Sequence, residues 1–483
     1  MVSDHDRREL ATFLDSAAPR PLLGLAYGRR RIGKSTLLFK ETEARDGFYF
    51  EAIHVETPVQ LERLGAAIGE HLGVGRIALA SWEEALTQLL RLGEERAVPV
   101  VLDEFGHILQ ADASVDSVLA TTLGPGRRPR GQSGRPRLVL CGSAIAMMRA
   151  LTVGEAPLRG RAGLELVMQP DDFRTAATRL AATRLAAPED RELAARVFAV
   201  IGGVVGYATD MANHDLPTSL GDFERWVADR ILSPAAPLHY EATTLLAEDP
   251  SLAGGNDLLH HSILGAIANG SVTAGNIAKQ VNRAVPNLGP ALNRLVQAGF
   301  VIRHVDPVRK QRPLYALADP YLQFHYAVLE PHRTALRFRD RGDVWRERLV
   351  DTFDARVRGP VFEQQARTWV ERFASDASIG GSPDHVGPSV ASVDKIEVEL
   401  DVVVAASGED PSARTITAIG EAKAGERLTG RHLHRLKQAR AALGPRASTA
   451  KLLLFGVEFH AELRELDRHD VELIDLDRLY DGE

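Results

Sequence analysis

Cysteine is nearly absent from this chain of 483 residues: Cys141 alone cannot close an internal disulfide or build a cysteine-ligated zinc site, which fits a reducing compartment. Long apolar runs are missing too. No stretch approaches the roughly 20 residues that a membrane helix needs. Met1 to Ala18 is polar and charged where a secreted chain would carry an apolar leader, so a cytoplasmic protein with no membrane partner is expected. Aromatic residues amount to only 6%, yet 45% of residues are hydrophobic and 25% charged, which allows a sizeable core and excludes wholesale disorder. A net charge of −7 provides no overall field for nucleic acid, so any such contact must come from local basic patches. Lysine is the last scarcity. Eight lysines stand among 58 basic residues, so each marks a place where a compact point charge suits better than a guanidinium fork.

Length allows about three domains at roughly 150 residues each. Short apolar runs at 21–27, 48–54, 98–103, 138–142 and 164–168 alternate with helical stretches such as Gln60 to His71 and Trp82 to Leu92, the pattern of a parallel α/β sheet. Four segments are expected: an α/β domain over 1–170, a helical lid over 171–250, a winged-helix domain over 251–332, and connector helices with a last α/β domain over 333–483. In the third, helices are expected over Ser262 to Ala268, Thr273 to Val281 and Pro290 to Gln297, with Pro290 in a first turn. A hairpin bearing Arg303, His304, Arg309, Lys310 and Arg312 follows. Residues 375–392 hold glycine, serine and proline and read as a loop.

The strongest motif is Gly28-Arg29-Arg30-Arg31-Ile32-Gly33-Lys34-Ser35, which fits G-x-x-x-x-G-K-[ST] between an apolar strand and an amphipathic helix. Its glycines let the backbone wrap a phosphate, its amides form an anion nest, and the following helix aims its positive end inward. Lys34 would bridge β- and γ-phosphate oxygens and Ser35 would offer a hydroxyl to Mg²⁺, with Arg31 and Thr36 completing the ATP contacts. The strand 98–103 ends in Asp103 and Glu104. Asp103 would hold the Mg²⁺ shell through water and Glu104 would orient and deprotonate an attacking water; the plainer reading is a pair of helix N-terminal charges. Ser143, just past another apolar strand, suits a small hydroxyl that reports on the γ-phosphate; the plainer reading is an ordinary helix cap.

YGRRRIGKSTLL, VVLDEFGHIL, LVLCGSAIAMM and APLRGRAGLEL together resemble the archaeal-type ATPase family of P-loop proteins, related to the AAA and STAND groups. The resemblance implies an ATP-hydrolysing domain, and Arg161, in Leu158-Arg159-Gly160-Arg161, inherits the family's phosphate-sensing arginine, with Arg159 a rival. Ile201-Gly202-Gly203-Val204-Val205-Gly206-Tyr207 resembles a further segment of that family but lacks its proline, and 315–326 resembles the stretch that follows its winged helix.

With only Arg294 on its third helix, the winged module would meet DNA mainly through its wing, or else serve purely as packing. In the last segment, 398–404 and 415–423 read as adjacent strands. Period-2 alternation puts Glu421 and Lys423 on one face, and antiparallel pairing can bring Asp401 beside them. Asp401 and Glu421 would bind Mg²⁺ or Mn²⁺ and Lys423 would position water or neutralise phosphate charge; a cross-strand salt bridge is the alternative. Glu363, on an upstream helix, could add a third carboxylate. This arrangement looks like the PD-(D/E)xK nuclease fold, in which Glu363 matches the helix acid.

The expectation is therefore an α/β chain in which a P-loop ATPase with a helical lid and winged helix controls a restriction-endonuclease-like domain acting on DNA. The rival is a nucleotide-switched DNA-binding regulator whose last domain is scaffold. Homo-oligomerisation stays open. The arginines of 127–137 could grip nucleic acid but read more plainly as a solvated loop, those of 333–348 read mostly as intramolecular pairs, and His260-His261 reads as helix surface.

Overall fold

The computed structural model describes residues 4–18, 21–96, 98–124, 136–182, 191–253, 257–310, 313–393, 396–465 and 469–483. Two compact units divide it, Met1–Asp171 with Asp249–Ser251, and Asp172–Glu248 with Leu252–Glu483. Among the described residues, no helix is long and apolar enough to cross a membrane.

In the first unit, β1 (Leu22–Tyr27), β2 (Phe48–Glu51), β3 (Pro99–Asp103), β4 (Arg137–Gly142) and β5 (Ala162–Val167) form one parallel sheet in the order β2-β3-β4-β1-β5. β3 and β4 are buried along their whole length, which is why they read as unbroken apolar runs rather than alternating ones. Because β4 lies between β1 and β3, the loops leaving all three strands emerge side by side at one edge. Residues 125–135 of the arginine-rich stretch lie outside the described residues. Arg137 itself is no part of a solvated loop: it is buried in β4 and donates to the Ser16 and Ala18 carbonyls at 2.6 and 2.9 Å.

In the second unit, Gly202 adopts φ 61°, and a Cβ there would lie 2.9 Å from Asp319 Oδ1 and 3.0 Å from the Pro320 ring. Only glycine fits, so the helix Arg191–Ile201 ends against the start of helix Pro320–Phe324, which Asp319 caps through the Tyr321 amide. Farther up, Phe173 stacks edge-on with Tyr480 and Phe373 at 5.1 and 5.9 Å, and Arg174 donates to the Leu479 carbonyl at 2.8 Å. The helices read as a lid thus share a core with the C-terminal domain.

The winged module contains helices Asp257–Ala268, Ala274–Gln280 and Val285–Gln297 and an antiparallel hairpin of β6 (Val301–His304) and β7 (Leu314–Leu317). Its third helix begins one turn earlier than the sequence suggested: Pro286 takes the first turn and Pro290 sits inside the helix. His260 is buried rather than on the surface, and the Nδ1 of His261 meets the Tyr326 hydroxyl at 2.8 Å.

The hairpin tip also departs from expectation. Asp306 and Val308 are buried, Ser389 Oγ donates to Asp306 Oδ1 at 2.8 Å, and Arg446 donates to the Ser412 and Val308 carbonyls at 2.9 and 3.4 Å. Lys310 pairs with Asp410 at 3.0 Å, so this stretch of the wing is seated on the C-terminal domain and does not stand out as a phosphate grip. The apolar Val308 needed a core, and the neighbouring sheet supplied one. Of the connector arginines, Arg333 pairs with Glu330 at 2.7 Å and Arg346 with Asp343 at 2.6 Å, while Arg341 donates to the distant Ala228 carbonyl at 3.1 Å.

The C-terminal sheet runs β12-β11-β10-β9-β8, with β8 (His385–Val393), β9 (Ile396–Ala405) and β10 (Ile416–Lys423) antiparallel and β11 (Lys451–Gly456) and β12 (Val471–Ile474) parallel to β10. Much of 375–392 is therefore strand, not loop. Pro388 is accommodated because β8 is an edge strand whose register shifts between Gly387 and Ser389. Helix Gly359–Arg372 packs Phe362, Ala366 and Trp369 on Val402, Val404 and Ala418, while helix Gly430–Ala442 sets Leu433, Leu436 and Ala439 on Val403, Ile419 and Leu454.

Candidate functional sites

The loop after β1 turns through left-handed conformations at Arg31 (φ 64°) and Gly33 (φ 95°) before helix Lys34–Glu43 begins. At Gly28 a Cβ would fall 2.2 Å from the Met168 carbonyl, so the end of β1 can lie this close to β5 only as glycine. Ser35 and Thr36 occupy the exposed first turn, whose amides have no helical partners and favour an anion. Lys34 is buried and its Nζ donates to the Arg29 carbonyl at 2.7 Å, bending back across the loop. Burial pushes its pKa down, against the nearby Glu104 and Asp103 carboxylates.

Asp103, fully buried at the end of β3, accepts hydrogen bonds from the Tyr49 hydroxyl and, at 2.8 Å, from the Glu104 amide. Tyr49 also lies near Ser35, the hydroxyl that the motif assigns to Mg²⁺. Burial first, then Asp103, raises that phenol's pKa. Nothing in the sequence singled out Tyr49. Glu104 takes the left-handed conformation (φ 49°) as it opens helix Phe105–Ala111, a strain of order 1 kcal/mol or more that sets its carboxylate against the Ser143 hydroxyl at 3.1 Å. The structure thus joins Asp103, Glu104 and Ser143 at the edge where the phosphate loop emerges. Arg161 is engaged elsewhere, donating to the Ala120 carbonyl at 2.8 Å, and Arg159 donates to the Gly154 carbonyl at 2.9 Å.

In the second unit, Gly420 of β10 pairs with Val402 of β9, which places Glu421 next to Asp401. Lys423 Nζ lies 3.5 Å from Asp401 Oδ2 and 3.6 Å from Glu421 Oε1. Asp401 Oδ2 also accepts from the Ala422 amide at 2.8 Å. Burial works against the Lys423 charge, but Asp401, Glu421 and Glu363 outweigh it and raise its pKa. Glu421 is buried with neither carboxylate oxygen hydrogen-bonded; besides Lys423, its cation neighbour is Arg435 Nη1 at 3.6 Å. Leaving a buried carboxylate in that state is costly, and a divalent cation on Asp401 and Glu421 would relieve it, so these residues fit such an ion.

Glu363 lies near Asp401: burial, and then the Asp401 charge, push its pKa up to about 8. Among the described residues no group of three or more His, Cys, Asp or Glu side chains could hold a metal ion. Glu363's neighbour is Arg367, one helical turn on, buried and donating to the Asp401 carbonyl at 2.8 Å. Arg367 and Arg435 escaped the sequence reading, although the four-residue spacing of Glu363 and Arg367 was a usable signal. Asp401 and Lys423 line a cleft of about 810 Å³ that is also walled by Thr273 and Asn276 of the winged module.

No family model matches the chain. It is 22% identical over 317 residues to an uncharacterized protein of Methanocaldococcus jannaschii, the match covering 64% of each, so the chain spans about 64% of that curated relative. Among solved structures, the Walker-type ATPase of Pyrococcus abyssi is similar at 20% identity with a TM-score of 0.49, covering 67% of this chain and 95% of that one. The ORC2 protein of Aeropyrum pernix in its ADPNP-ADP complexes is similar at 18% identity with a TM-score of 0.43, covering 69% and 92%.

Proposed function

We propose that the chain hydrolyses ATP at the 28–36 loop and cleaves phosphodiester bonds of nucleic acid at Asp401, Glu421 and Lys423. The observation that carries the first half is the junction of Lys34, Asp103, Glu104 and Ser143 at one sheet edge. Lys34 would leave the Arg29 carbonyl for the β- and γ-phosphates, Ser35 and Asp103 would hold Mg²⁺, and Glu104 would take a proton from water. Ser143, on the Glu104 carboxylate, would tie that base to the γ-phosphate. For Arg161 to sense phosphate it must release the Ala120 carbonyl.

The buried, hydrogen-bond-free Glu421 carries the second half. Asp401 and Glu421 would hold a divalent ion, which supplies Lewis-acid polarisation of the phosphate when bound. Lys423 would stabilise charge on the phosphoryl oxygens as a water oxygen bonds to phosphorus and one P–O ester bond breaks; the water's proton passes to solvent and the leaving oxygen is protonated. One observation favours a rival in which this domain is scaffold for a nucleotide-switched regulator: among the described residues no group of three or more His, Cys, Asp or Glu side chains could hold a metal ion.

Two assays on the full chain decide. Lys34→Ala is expected to lower Mg²⁺-dependent ATP turnover by on the order of 10²-fold or more. Lys423→Ala is expected to abolish DNA nicking with Mg²⁺ or Mn²⁺ while ATP turnover persists; nicking that survives would refute this site, and its absence in the unsubstituted protein would favour the scaffold reading.

A further inference from the structure

We infer that the cleft above Asp401 and Lys423 admits a single polynucleotide strand and excludes a closed duplex, an inference that rests on the nuclease reading of that site. The first argument is size. About 810 Å³ lies within the roughly 300–1,000 Å³ of clefts that enclose a small organic ligand, room for a nucleotide or two. A closed duplex carries two backbones with their paired bases between them, more than a space for one or two nucleotides takes in.

The second argument is that the cleft's far wall is pinned. That wall belongs to the winged module, whose hairpin tip is fixed to the C-terminal domain by Ser389 on Asp306, Arg414 on the Pro307 carbonyl at 3.1 Å, and Lys310 on Asp410. At its other end Gln323 Nε2 donates to the Arg356 carbonyl of the connector helices. A module anchored at both ends does not swing aside for a second strand.

Chemistry supplies the third argument. Asn276, exposed on helix Ala274–Gln280 and lining the same cleft as Asp401 and Lys423, offers an amide that can both donate to and accept from a base edge. Those edges are open in a single strand and paired in a duplex. Glu397 and Glu399 on the rim repel phosphate, and the duplex brings a second charged backbone against the same acids. Arg356, Arg367 and Lys423 offset only part of this against the further acids Asp351, Asp354 and Glu426 of the lining, so entry of the single strand depends on a divalent cation.

The test uses the full chain with an end-labelled oligonucleotide, as DNA and as RNA, and the same sequence as a blunt duplex, with Mn²⁺ for cleavage and Ca²⁺ for binding. Cleavage of a single strand at least about tenfold faster than of the duplex is expected. Asn276→Trp, which fills the cleft from an exposed helix position, should remove both cleavage and Ca²⁺-supported binding of the strand; Asn276→Asp, of unchanged size, should weaken both. Duplex cleaved as fast as single strand, or wild-type cleavage in Asn276→Trp, would overturn the inference. Binding without cleavage, lost in Asn276→Trp, refutes the nuclease reading and leaves the cleft's occupant assigned. A chain that shows no binding and no cleavage of the strand would overturn the assignment of the occupant.

Discussion

Asp103 and Glu421 are both buried carboxylates near strand ends, yet their surroundings differ. Asp103 accepts from the Tyr49 hydroxyl and the Glu104 amide, whereas neither oxygen of Glu421 accepts a hydrogen bond and its cations stand at 3.6 Å. One acid is already satisfied by its own chain. The other holds an unmet demand that an ion from solution would fill. Preorganisation by hydrogen bonds and preorganisation for a metal are thus distinguishable in one molecule by which donors touch the carboxylate.

The largest expected effect tests that demand. Without nucleotide, Mn²⁺ or Mg²⁺ at a hundredfold excess over Kd should add about 2.7 kcal/mol to the stability of the second unit. Glu421→Gln should abolish the resulting rise in melting temperature and, in chelator, melt above the unsubstituted protein. A wild-type chain whose melting ignores divalent ions would erase the contrast.

Next comes Glu363, held protonated up to about 8. Its folded pKa lies above the ordinary carboxyl value near 4.3, so the unfolded chain gives up that proton first. Stability from this group is therefore present at low pH and is lost as pH rises toward 8. Glu363→Gln should flatten that decline, read as several degrees at pH 8, since large domains move about 2–4 °C per kcal/mol. A steeper decline in the variant would contradict the sign.

The smallest effect lies at the satisfied acid. Tyr49→Phe removes one donor from Asp103 and should cost about 1 kcal/mol. It should also free Asp103 for the ion, so Mg²⁺–ATP should bind more tightly by less than about tenfold; weaker binding would mean that the phenol assists the ion instead of competing with it.

The two sites were not equally legible in the sequence. Gly28 to Ser35 is contiguous and its flanking strand and helix are periodic, so the loop could be read directly, as could Asp103-Glu104 at the end of an apolar run. The Asp401, Glu421 and Lys423 group comes together only through strand pairing, and β8 is hidden because Gly387 and Pro388 look like loop residues until an edge bulge accounts for them. Arg161 bonded to Ala120, Tyr49 bonded to Asp103, and Val308 seated in a distant core depend on partners far along the chain, and no local pattern encodes them.

The seated hairpin tip has a practical outcome for anyone trimming this polypeptide. A version stopping near residue 332 would keep all three helices of the winged module but strip away the surface on which Asp306 and Val308 rest. Such a fragment would expose an oily, acid-bearing prong to water and tend to clump, so the module and the sheet behind it should be expressed as one piece.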